Sequence, residues 1–113
     1  MRINELNISA AQKKALQESW QRLKNAYPIK KVVIYGSVAR GDATAESDID
    51  MLVITEKRMN HRQRLAMCDI IFEVNLIYGT TISILVVDWE TWQTGLWVVL
   101  PIKREIEKDG IPL

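Results

Sequence analysis

At 113 residues, 48% of them apolar and 26% charged, the chain has the length of one compact globular domain, expected to span residues 1–113, and its composition excludes disorder. Fifteen basic against fourteen acidic side chains leave a formal net charge of +1, which argues against a protein that coats DNA through a basic face, so any nucleotide contact must come from a local site. The single cysteine, Cys68, excludes an internal disulfide, Met1–Glu5 lacks a signal-peptide core, and the longest apolar run, Leu96–Leu100, falls far short of the ~20 residues of a membrane span. A soluble, cytoplasmic protein with no membrane contact is expected.

In chain order, Ser9 and Gln12 form a capping box that starts a helix, and Leu16, Trp20, Leu23 and Tyr27 recur at helical spacing until Pro28 closes the segment. Lys31–Tyr35 is a β-branched and aromatic run that reads as a buried strand, with Gly36-Ser37 as its turn. Val38–Glu46, with Gly41, Asp42 and Thr44, has no sustained period and is expected to be a short helical turn followed by a loop. Asp48–Thr55 is the second strand, in which alternation puts Asp48, Asp50, Leu52 and Ile54 on one face and Ile49, Met51 and Val53 on the other.

Asn60–Tyr78 carries a second long helical pattern, with Leu65, Cys68, Ile71, Phe72 and Leu76 expected on its buried side and Gly79 as a left-handed cap. Thr81–Val87 is a third strand. Asp88–Val99 holds Trp89, Trp92 and Trp97 in an irregular pattern, and Pro101 with Gly110 frames a final helix. The order α, β, β, α, β, α predicts an α/β or α+β fold, a sheet of at least three strands with helices packed on one face.

The chemistry-bearing pattern is Gly36-Ser37, ten residues, then Asp48-Ile49-Asp50. A glycine after a strand lets backbone N–H groups approach a phosphate, and the neighbouring serine adds a hydroxyl donor without bulk. Two carboxylates at i and i+2 on a strand project the same way, about 6.6 Å apart along the chain, which suits a hard divalent cation such as magnesium. Arg40 can add a guanidinium to the same phosphates.

With Gly36, Ser37, Arg40-Gly41 and Ser47-Asp48-Ile49-Asp50, the sequence resembles the minimal nucleotidyltransferases of the DNA polymerase β superfamily. The match is close over about half the chain and loose, through element order, over nearly all of it. The resemblance implies a nucleotidyltransferase fold with a mixed sheet, a nucleoside triphosphate (ATP the expected one) on Gly36 and Ser37, Mg2+ on Asp48 and Asp50, and transfer of the nucleotidyl group to a hydroxyl. It further implies an antitoxin paired with a HEPN-type ribonuclease, some relatives transferring AMP to a tyrosine of that partner.

The family's third carboxylate, on a later strand, is replaced here by Ser83. Asp88, five residues on, falls on the opposite face of a straight strand, and only a bulge or turn after Val87 would re-aim it. An enzyme, a catalytically weakened binding module and a nucleotide sensor therefore all remain open. His61 reads as a solvated residue of a first helical turn, Cys68 as an inert core residue, and the three tryptophans as core or as a surface covered by another subunit, so a homo- or hetero-oligomer is expected.

Overall fold

Both long helices begin where the sequence caps them. The computed structural model describes residues 3–43 and 47–113. After a 3-10 turn at Ile3–Glu5, α1 spans Ala10–Ala26. The Ser9 hydroxyl accepts from the Gln12 N–H at 3.1 Å, and the Gln12 side chain accepts from the Ser9 N–H at 2.8 Å. The strand β1 (Ile29–Tyr35), the short helix α2 (Ser37–Arg40), β2 (Ile49–Thr55) and α3 (His61–Tyr78) follow. Asn60 and Gln63 make a second capping box at the start of α3, at 2.8 and 2.9 Å, and Gly79 closes that helix at φ 67. The chain ends with β3 (Ile82–Asp88), α4 (Trp89–Gln93), a 3-10 turn at Gly95–Val99, α5 (Pro101–Asp109) and β4 (Ile111–Pro112). The expected loop after α2 includes Thr44, Ala45 and Glu46, which lie outside the described residues.

The sheet is mixed, in the order β3-β2-β1-β4. β1 runs antiparallel to β2 and to β4, whereas β3, returned by α3, runs parallel to β2. Alternation sorts the two faces. Val32, Ile34, Ile49, Met51, Val53 and Ile82 pack with Leu16, Leu23, Met67, Ile71 and Val74 of α1 and α3. Val33, Leu52, Ile54 and Val87 form a second cluster with Trp92 of α4 and Ile106 of α5. The two long helices share one face, but the short C-terminal helices cover the other, so the expectation of helices on one face holds for α1 and α3 and is corrected for α4 and α5. Of the three C-terminal tryptophans, Trp92 is buried, Trp97 stacks obliquely on it at 5.5 Å, and Trp89 is exposed. Among the described residues no helix is long and apolar enough to cross a membrane.

One expectation about α3 is overturned. Met67, Ile71 and Val74 face the sheet, while Leu65, Cys68, Phe72 and Leu76 point outward, Phe72 62% and Leu76 69% exposed. The helix is apolar on two sides, so periodicity alone offered two stripes, and Ile71 belongs to the one the sheet takes. Ile71→Ala should therefore destabilise the fold by about 2–5 kcal/mol, and Phe72→Ala should stay within about 0.5 kcal/mol. Urea denaturation of the two variants checks the assignment.

Candidate functional site

Gly36, at the end of β1, adopts φ 76 and ψ −151, a conformation that side chains rarely tolerate. Its second constraint is contact: a Cβ there would lie 2.5 Å from Oδ2 of Asp50. The backbone at Gly36 and the Asp50 carboxylate thus occupy adjoining space with no room for a methyl group between them. Ser37 opens α2, whose first-turn amides have no acceptor within the helix. The turn is braced by the Arg40 N–H donating to the Gly36 carbonyl at 3.1 Å and the Asp42 N–H to the Ser37 carbonyl at 3.0 Å. Gly41, at φ 79, ends the helix after four residues.

Opposite this turn stands β2. Asp50 is the register partner of Tyr35 on one side and of Ser83 on the other, and paired residues project to the same face of a sheet. A cleft of about 350 Å³ forms there, bounded by Tyr35, Gly36, Ser37, Arg40 and Asp50 on the sheet side and by Ile102, Glu105, Ile106 and Asp109 of α5. Asp48 is exposed just ahead of β2. Burial raises the Asp50 carboxyl above its ordinary pKa, the Asp48 charge adds to the rise, and Arg40 opposes it. Burial, and then the Asp50 charge, likewise push the Tyr35 phenol up. Arg40 also reaches Asp42, Nε to Oδ2 at 3.4 Å.

A model of the nucleotidyltransferase domain family matches residues 15–111. The chain belongs to that family. It is 36% identical over 77 residues to the protein adenylyltransferase candidate MJ0604 of Methanocaldococcus jannaschii, a match covering 66% of this chain and 72% of that one. Among solved structures, the nucleotidyltransferase candidate from Sulfolobus solfataricus superposes with a TM-score of 0.56 at 26% identity, over 88% of this chain and 76% of that one. A toxin–antitoxin complex with AMP-PNP gives 0.58 at 14% identity, over 88% and 69%. The toxin–antitoxin pair MntA-HepT gives 0.56 at 14%, over 89% and 70%. These last two share the fold.

In this nucleotidyltransferase domain the residues singled out by sequence do not all meet. Gly36, Ser37, Arg40 and Asp50 line one cleft, and Asp48 acts on Asp50 through its charge. Ser83 adjoins Asp50 across the strand pair and is exposed. Asp88 pairs in register with Thr55, at the far end of the sheet. Its carboxylate caps α4, accepting from the Thr91 N–H at 2.9 Å and the Thr91 hydroxyl at 2.7 Å. The strand runs straight to that point, so no bulge re-aims Asp88 toward Asp50.

Sequence reading missed Tyr35, Glu105 and Asp109. The two carboxylates share with Ile102 and Ile106 the i, i+3, i+4, i+7 face of α5, a legible signal whose direction depends on β4. Ile34 pairs with Ile111, and this pairing draws the end of α5 toward β1, where Glu105 and Asp109 line the cleft with Gly36.

The raised pKa of Asp50 carries a sign. Between the unfolded value, near 3.9, and the higher folded value, the native state holds more protons, so stability falls as pH rises through that window. At pH 7 the ionised Asp50 is a burden on the fold. Asp50→Asn is expected to raise Tm at pH 7, the gain shrinking to nothing below about pH 4; thermal melts across that range measure it.

Proposed function

We propose that this domain binds a magnesium-bound nucleoside triphosphate, ATP, and transfers its AMP to a hydroxyl of a partner protein. The observation that carries the reading is the contact of Gly36 with Asp50 inside a cleft that also holds Ser37 and Arg40. The Ser37 amide and hydroxyl and the Arg40 guanidinium are the donors for phosphate oxygens.

The donor set fits magnesium. Asp48 and Asp50 are oxygen ligands, the Asp48 charge adding to the rise that burial gives the Asp50 carboxyl, and magnesium is commonly held by one or two carboxylates plus substrate phosphates. Among the described residues no three acidic, His or Cys side chains converge as a complete protein cage, in keeping with an ion that arrives with its nucleotide. Bound there, the ion would neutralise charge on the phosphates. The chain's own part is to orient the triphosphate along Gly36-Ser37 with α5 opposite. In the transfer the acceptor oxygen bonds to the α-phosphorus, the bond to the β-phosphate bridging oxygen breaks, pyrophosphate leaves, and the hydroxyl proton passes to a base.

The partner reading rests on the shared fold with MntA-HepT and on outward apolar side chains such as Phe72, Leu76 and Leu96, which offer area for a covering protein. A HEPN-type ribonuclease is the proposed partner and the cytoplasm the proposed compartment. A specific observation favours a second reading, a weakened transferase acting by binding: Ser83, not a carboxylate, stands beside Asp50, and a serine is too weak a base to replace one.

Transfer from labelled ATP to a co-purified HEPN-type partner decides between them. Wild-type transfer lost in the Asp48→Asn, Asp50→Asn double variant and unchanged in Asp88→Asn supports the enzyme. Magnesium-dependent ATP binding without transfer, with Ser83→Asp gaining on the order of 10²-fold, supports the weakened module. ATP binding that ignores both aspartates overturns the site.

A further inference from the structure

The opposite end of the sheet holds a second concave site. Thr55 and Asp88 pair in register five residues beyond Asp50 and Ser83, about 17 Å along the strands at 3.3 Å per residue. A cavity of about 150 Å³ opens there, with Arg58, Met59, Arg64, Asp88, Thr91 and Trp97 in its wall. It shares no residue with the Gly36–Asp50 cleft.

Two features of this cavity call for an anion. Arg58 and Arg64 both line it, and among the described residues neither guanidinium makes a hydrogen bond or a close ion pair. Asp88, the acidic side chain in the wall, accepts from Thr91 with both carboxylate oxygens and meets Arg58 only through its charge, without a close ion pair to either guanidinium. The surrounding sequence is also uneven. Lys57, Arg58, Arg62 and Arg64 are four of the chain's 15 lysines and arginines within eight positions, and no aspartate or glutamate occurs from Lys57 to Cys68. In a chain of net charge +1 this is a concentrated positive spot rather than part of a basic surface, and it favours a compact anion over an extended one.

We propose that the cavity bounded by Arg58, Arg64 and Trp97 binds the phosphate group of a monoester, apart from the nucleotide cleft. Guanidinium forks match tetrahedral oxyanions through paired N–H donors. The half-buried Trp97 ring supplies an apolar wall for the ester carbons. The phosphate can come from a small metabolite or from the 5′ end of a nucleic acid, and the chemistry recognised is the same.

NMR titration of the isotope-labelled full chain tests this with three probes: inorganic phosphate, glycerol 3-phosphate and a trinucleotide with or without a 5′-phosphate. Saturable shifts are expected at the Arg58, Arg64 and Thr91 amides and the Trp97 indole. Arg58→Gln and Arg64→Gln should each weaken binding about tenfold, and the double variant should lose it, while Asp48→Asn with Asp50→Asn leaves it unchanged. Phosphorylated trinucleotide binding far tighter than glycerol 3-phosphate assigns the site to nucleic-acid ends, and equal affinity assigns it to small esters. Absence of saturation at millimolar phosphate, binding that survives in the double arginine variant, or shifts confined to Gly36 and Ser37 would overturn the proposal.

Discussion

The site depends on one close approach, that of the Asp50 carboxylate to the Cα of Gly36. It demands a glycine twice over, for the positive φ of the turn and for the space that a Cβ would take from the carboxylate. It also fixes the offset of two strands, since only the observed β1–β2 register, with Tyr35 opposite Asp50, brings the turn after one strand against the first residues of the next. A slip of one residue would turn Asp50 to the α1–α3 side and Ile49 or Met51 out of the core, so burial of those two side chains holds the geometry of the cleft in place.

The third strand is placed with similar economy. Asn75, near the end of α3, donates from Nδ2 to the Ile82 carbonyl at 3.0 Å and accepts from the Ile82 N–H at 2.9 Å and the Thr80 hydroxyl at 3.0 Å. One half-buried amide thus ties the end of the helix to the start of β3 and sets Ser83 beside Asp50. The same register carries Asp88 to the other end of the sheet, where its work is to cap α4. The Thr91 amide, and then the Thr91 hydroxyl, hold the Asp88 carboxyl below its ordinary pKa. Its hydrogen bonds to Thr91 make Asp88 a helix cap, whereas burial, and then the Asp48 charge, push the Asp50 carboxyl the opposite way.

Much of this was legible in the sequence because it rests on local rules. The Ser9 capping box, the strand alternation around Met51 and the Gly36-Ser37 spacing to Asp48 and Asp50 all involve residues that are near neighbours or lie on adjoining strands. What escaped depends on long-range choices. The buried side of α3 could not be read because Leu65, Phe72 and Leu76 compete with Met67, Ile71 and Val74 as an apolar stripe, and only docking on the sheet decides between them. Cys68 was misread with that stripe. The carboxylates of α5 were hidden for a related reason: their approach to Gly36 follows from β4, a two-residue strand too short to announce itself, pairing with Val33 and Ile34.

A single cleft joining the Gly36-Ser37 turn to Asp50, with Asp48 close enough to act on it by charge, is the central claim, and residue-resolved NMR of the full chain with ATP in the presence and absence of magnesium tests it most directly. The account predicts magnesium-dependent shifts at Gly36, Ser37, Asp48 and Asp50, extending to Glu105 and Asp109 across the cleft. Magnesium-ATP shifts that bypass Gly36 and Asp50, or an ATP complex indifferent to magnesium, would contradict it.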